Sequence, residues 1–202
     1  MVFEPIWGTI IGMYLFLAGL GGGAYASATY LRLRKPECVH LIRYGRVIAP
    51  ITVIVGLCLL MVDATAGFHN PLRFVLLLTN FGSVMTWGVV FLAVFTIIAL
   101  IVVIMDLLGK GRKIPVWLDV FGAVMGICVC VYTRCLLGVA KTFPLWNNPL
   151  LPILFLVSAV STGMAAMLLV SIFRAPKEFD AAVKFKKFHF WLPIAELVLV
   201  AA

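Results

Sequence analysis

Residues 83–105 read SVMTWGVVFLAVFTIIALIVVIM, twenty-three positions without one charge. A hydrocarbon core about 30 Å thick is crossed by about 20 helical residues, so this stretch predicts a transmembrane helix. Five more apolar runs lie outward from it in both directions: roughly Trp7–Tyr30, Val47–Val62, Val116–Val139, Leu150–Phe173, and Phe188 to the end. The chain is 202 residues long, 64% hydrophobic and 12% charged, with a mean hydropathy of +1.15. A soluble core of this size could not bury that much apolar surface, and lipid must cover part of it. The expected fold is an all-α membrane bundle of five complete spans plus a sixth that is short, forming a single domain over residues 1–202. After Lys187 only fifteen residues remain, about 22 Å of helix at 1.5 Å per residue. The expectation is therefore the amino-terminal part of a longer domain.

The formal charge of +8 would suit a nucleic-acid partner, but its distribution is topological. Arg32, Arg34, Lys35, Arg43 and Arg46 sit in the first connection (read here as Leu31–Arg46), Lys110, Arg112 and Lys113 in the third, and Arg174, Lys177, Lys184, Lys186 and Lys187 in the fifth. The opposite side holds only Arg73, Arg134 and Lys141. Basic loops stay in the cytoplasm, which predicts an external amino terminus in the inner membrane. The first apolar run lacks a basic leader and reads as a span, not a cleavable signal. On the external side, residues 71–78 predict a helix lying in the interface, and residues 142–149, with Trp146, a turn anchored at headgroup level.

The cysteines form no C-x-x-C pair and have no histidine partners at metal-ligand spacing. Cys128, Cys130 and Cys135 read as small packing residues. His40 and His189 fall on the basic side and His69 on the other, none of them in the middle of a span, so no buried axial pair is offered to a haem. The run Gly19, Gly21, Gly22, Gly23 predicts a close helix-packing seam rather than a phosphate loop, which would need a preceding strand. Asp119, one turn into the fourth span, suits that helix's amino-terminal dipole.

Ionisable and polar groups at membrane depth are costly and mark candidate sites. Tyr14, Asp63, Tyr132 and Arg134 come from three spans and fall at similar depth on the external side, while Glu196 lies in the short sixth segment. A phenol, a carboxylate and a guanidinium in an apolar wall can bind a quinone carbonyl and exchange its protons. The residues equally allow interfacial tyrosines, an Arg134 that reaches to headgroups, and a purely structural Asp63–Arg134 pair. A small transporter or proton-conducting channel is the competing functional class. It would favour midplane charges and an inverted repeat, neither of which is visible.

Longer motifs sharpen this. Residues 15–24 (LFLAGLGGGA), residues 71–88 from Pro71-Leu72-Arg73-Phe74 to Thr86-Trp87-Gly88, and Tyr132-Thr133-x-x-Leu136-Leu137-Gly138 occur in order. Pro144-Leu145-Trp146-Asn147-x-Pro149-Leu150-Leu151-Pro152 follows, running on to Ser161-Thr162-Gly163. Together they resemble the NrfD/PsrC-type membrane subunits of polysulfide, nitrite and related reductases. The resemblance implies a menaquinone-type substrate, no haem or iron–sulfur cluster within this chain, a ferredoxin-like four-cluster iron–sulfur subunit on the outer face, and a molybdopterin enzyme beyond it. It implies quinone binding at Tyr132, with Tyr14 and Arg134 nearby, and proton transfer at Asp63 and Glu196. Arg134 departs from the small residue the family pattern carries after Tyr-Thr.

Overall fold

The computed structural model describes residues 9–63, 84–139 and 151–174, together with 191, 193 and 194. Five long helices appear: α1 Thr9–Arg34, α2 Val39–Asp63, α3 Val84–Leu107, α4 Val116–Val139 and α5 Leu151–Arg174. Each is long and apolar enough to cross a membrane, and no strand occurs among the described residues. The bundle is thus the all-helical membrane fold the apolar runs predict. The interfacial helix at 71–78, the turn at 142–149, His69, His189 and all of the sixth segment but 191, 193 and 194, Glu196 included, lie outside the described residues.

One boundary differs in a way that matters. The basic stretch read as a loop over Leu31–Arg46 is mostly helix: α1 continues to Arg34, α2 begins at Val39, and only residues 35–38 connect them. Long arginine stems pack apolar surface while their heads stay polar, so a helix can run through them at the membrane boundary. At the third connection the chain leaves α3 through Gly109, whose φ of +71° is open chiefly to glycine. A short 3₁₀ turn, Gly111–Lys113, then leads to α4.

Helix α1 is the hub. Consecutive helical positions turn by about 100°, so three in a row face three neighbours. A Cβ at Gly21 would lie 2.7 Å from Thr52 Oγ1 and 2.9 Å from the Ala49 carbonyl of α2. One at Gly22 would lie 2.6 Å from the Gly126 carbonyl of α4, and one at Gly23 would overlap the Ala159 carbonyl of α5. The glycines let three backbones approach together, the seam expected from sequence.

The register is legible in these contacts. Along α1, Gly19, Gly22, Tyr25 and Thr29 meet Cys130, Gly126, Gly122 and Asp119 of α4 in descending order, so the two helices are antiparallel. Against α5 the order ascends, with Gly19 and Gly23 on Ala159 and Ala24 on Gly163, so that pair is parallel. Phe95 and Ile98 of α3 lie over Gly126 and Gly122, and Tyr25 meets Phe95 edge to face at 5.6 Å. This up-and-down order gathers Arg32 and Arg34 of α1, Arg43 and Arg46 of α2 and Arg174 of α5 at one end of the bundle, with Asp106 of α3 and Asp119 of α4. Tyr14 and Tyr132 lie toward the other, called here the far end.

Candidate functional site

At the far end, the register sets Tyr14, Tyr132 and Arg134 within about one helical turn of each other along the bundle axis, with Asp63 about a turn farther out. Tyr14 is 6% exposed and belongs to the main apolar core. Its ring stands against Gly56 of α2, where a Cβ would meet its Cδ2 at 3.5 Å. Tyr132 is half-buried and its ring lies directly on Gly88 of α3, so that any side chain there would overlap it. The two phenols therefore share a layer but turn toward different helices. Asp63 ends α2 and Arg134 lies in α4; their side chains, like the whole of Glu196, are outside what the structure describes.

Behind Tyr132, between α1, α4 and α5, lies a cavity of about 240 Å³ at the same depth. Gly12, Leu15, Phe16, Cys130, Thr133 and Thr162 are among the residues lining it. Two of its hydroxyls are spent locally: Thr133 Oγ1 donates to the Cys130 carbonyl at 2.6 Å and Thr162 Oγ1 to that of Ser158 at 2.8 Å. The cavity thus presents a mainly apolar wall. Tyr132 points away from it, because its neighbour Thr133 is turned by about 100°. The volume admits a planar ring or a length of isoprenoid chain at the depth of Tyr132, though not against its ring.

The basic end holds a second constellation that sequence reasoning missed. Asp119 is fully buried. Its carboxylate pairs with both Arg32 and Arg46 and accepts a 3.2 Å hydrogen bond from the Tyr25 hydroxyl. Thr29 Oγ1 donates to the Asp119 backbone carbonyl at 3.4 Å, and Arg32 also donates to the Ile114 carbonyl at 2.5 Å. Arg46, its side chain only 6% exposed, reaches a second carboxylate, Asp106 of α3, at 3.8 Å, and Arg43 Nε stands 3.6 Å from that carboxylate. Asp119 does sit in the first turn of α4, but its role is larger than complementing a helix dipole. It ties α1, α2 and α4 together where apolar packing gives way to charge. The signal available in the sequence was Asp106, Asp119 and three arginines at the same end of four spans. The pairing itself joins residues 73 to 87 positions apart and needs the helix order.

Among the described residues no group of three or more His, Cys, Asp or Glu side chains could hold a metal ion.

Comparison with known proteins places the chain. Residues 2–202 match the family described as Polysulphide reductase, NrfD. The C subunit of the polysulfide reductase of Wolinella succinogenes is 36% identical over 193 residues, covering 83% of this chain and 58% of that protein. A protein NrfD homolog of Haemophilus influenzae is 30% identical over 224 residues (96% and 68%), and protein NrfD of Escherichia coli 29% over 199 residues (84% and 60%). The chain thus spans between 58% and 68% of the length of these relatives. No solved structure matches it. On the full-length family match and the 36% identity, this chain belongs to the NrfD family of polysulphide reductase membrane proteins.

Proposed function

We propose that this chain is the quinone-binding membrane subunit of a respiratory oxidoreductase. It stands in the cytoplasmic membrane with its basic end inside and the Tyr14–Tyr132 layer toward the outer face. On this reading an iron–sulfur subunit docks at the outer end and connects to a molybdopterin enzyme. Menaquinol or a related quinol is the membrane substrate, and its oxidation releases two electrons to the partner and two protons. The observation that carries the reading is the seating of Tyr132: a half-buried phenol braced on Gly88, at the end away from Arg32, Arg43 and Arg46, at the depth of an apolar cavity. A phenol at this level is the kind of group that donates a hydrogen bond to a quinone carbonyl. Tyr14 closes the apolar wall toward α2, and Arg134 lies at the same level of α4. Asp63 and Glu196 are assigned to proton transfer, as the acidic residues nearest the outer surface and within the sixth segment. Support comes from relatives whose names tie them to polysulfide reductase and to NrfD.

The test is purification in mild detergent with whatever co-elutes, followed by quinone extraction and a redox difference spectrum on one sample. Bound menaquinone with iron–sulfur absorbance from a partner and no haem Soret change is the expected result. A haem band, or the absence of both quinone and redox partner, overturns the reading.

A further inference from the structure

The basic end encloses a cavity of about 750 Å³ between the ends of α1, α2 and α3. Arg32, Arg43, Arg46, Glu37 and Asp106 line it, with His40 on its rim helix. Its charges balance: three arginines face Glu37, Asp106 and the Asp119 buried behind them. Arg32 and Arg46 are engaged with Asp119, which leaves Arg43, 43% exposed along its side chain, as the guanidinium with most room for another partner. Asp106 has the reverse need. Its Oδ2 is buried and accepts no hydrogen bond among the described residues, because Arg43 Nε is too far at 3.6 Å. A buried carboxylate oxygen left without a donor is costly.

The surroundings at this depth are lipid-like. Val39 lines the cavity and is half-exposed, while Leu107 and Leu108, next to the cavity-lining Gly109, are more than 60% exposed. A net anion gains little from a cavity whose charges already cancel. A ligand carrying both signs can give Asp106 Oδ2 the hydrogen-bond donor it lacks and the exposed Arg43 a further acceptor. We propose that this cavity binds the headgroup of a zwitterionic phospholipid with a primary ammonium, its phosphate on Arg43 and its ammonium on Asp106 and Glu37. The acyl chains would leave along the exposed apolar side of Val39 and Leu108. The proposal is independent of any quinone site.

The experiment is native mass spectrometry of the full chain, solubilised and offered phosphatidylethanolamine, phosphatidylcholine and phosphatidylglycerol at equal concentration. The expected result is one ethanolamine lipid retained per protein molecule, preferred over the choline lipid by about fivefold or more, the worth of the lost N–H donors. Arg43→Gln should lower retention of both zwitterionic lipids alike. Asp106→Asn should remove the discrimination between them, and Glu37→Gln, in the short connection before α2, should reduce it without touching the buried network. Equal retention of the choline lipid, preference for the glycerol lipid, or no retained lipid overturns the proposal. So does an ethanolamine preference that survives both carboxylate changes.

Discussion

The ring of Tyr132 rests on the backbone of Gly88, and a methyl group at Gly88 would overlap its Cζ, Cε1 and hydroxyl. The obstructed atoms are the far end of one side chain, so Gly88→Ala is expected to swing the phenol aside and leave the bundle assembled. Quinol oxidation by the assembled complex should then fall, as it should in Tyr132→Phe. The size of the second loss distinguishes two roles. A phenol that only hydrogen-bonds the quinone contributes about 1 kcal/mol, about fivefold in rate, whereas one that transfers the proton contributes about a hundredfold. Because both substitutions act on one group, the double variant should be no slower than Tyr132→Phe alone. Full activity in both single variants would remove Tyr132 from the site.

Gly23 and Gly12 lie on the same helix and should respond oppositely to alanine. At Gly23 the added carbon would meet the Ala159 carbonyl, and Gly163 presses back on Gly23 and Ala24, so backbone faces backbone and neither can turn away. Gly23→Ala is expected to cost about 1–3 kcal/mol or more. At Gly12 nothing lies within 4 Å, and alanine should gain about 0.5–1 kcal/mol from its lower unfolded-state entropy. Unfolding in mixed detergent micelles, monitored by circular dichroism, checks both. Equal midpoints for the two variants would mean that the α1–α5 seam is looser than described.

What the sequence revealed and what it concealed divide along a physical line. Spans are set by local composition, so the runs Ser83–Met105 and Val116–Val139 fall within two residues of α3 and α4. The glycine seam was readable too, because a transmembrane helix rarely carries Gly21, Gly22 and Gly23 unless backbones meet there. Arg43 and Arg46 were misread as loop residues, since charge density marks where apolar character ends but not where a helix begins. The Asp119 network was hidden because it depends on which helices are neighbours. That order is set by long-range packing around α1. Tyr14 and Tyr132 could be placed at one depth from spacing alone, but not the different helices their rings face.

The orientation proposed here makes its own prediction. The connection between α3 and α4 carries Lys110, Arg112 and Lys113 and should lie in the cytoplasm. Green fluorescent protein fused after Lys110 should fluoresce, and alkaline phosphatase fused there should stay inactive. The reverse pattern would invert the bundle and put the Tyr132 layer on the cytoplasmic side, away from an external iron–sulfur partner.

Arg46 and Asp119 offer a test of what the buried charges do for the fold. Asp119 is fully buried between Arg32 and Arg46, and among the described residues Arg46 is the one side chain that reaches both Asp119 and Asp106. Removing one partner of such a pair strands the others in a medium that solvates them poorly, at a cost of about 3–5 kcal/mol. Asp119→Asn, which leaves two guanidiniums facing a neutral amide, and Arg46→Met, which leaves two carboxylates underpaired, should each be destabilising on that scale. Replacing both, as Asp119→Leu with Arg46→Met, removes the charges together and should cost clearly less than the two single changes summed. Arg32→Lys should also weaken the bundle, because one ammonium lacks the planar fork that lets Arg32 serve Asp119 and the Ile114 carbonyl at once. Unfolding midpoints in mixed micelles give the cycle. Additive losses would mean that Arg46 and Asp119 are each solvated independently, and that the pair does not hold α2 to α4.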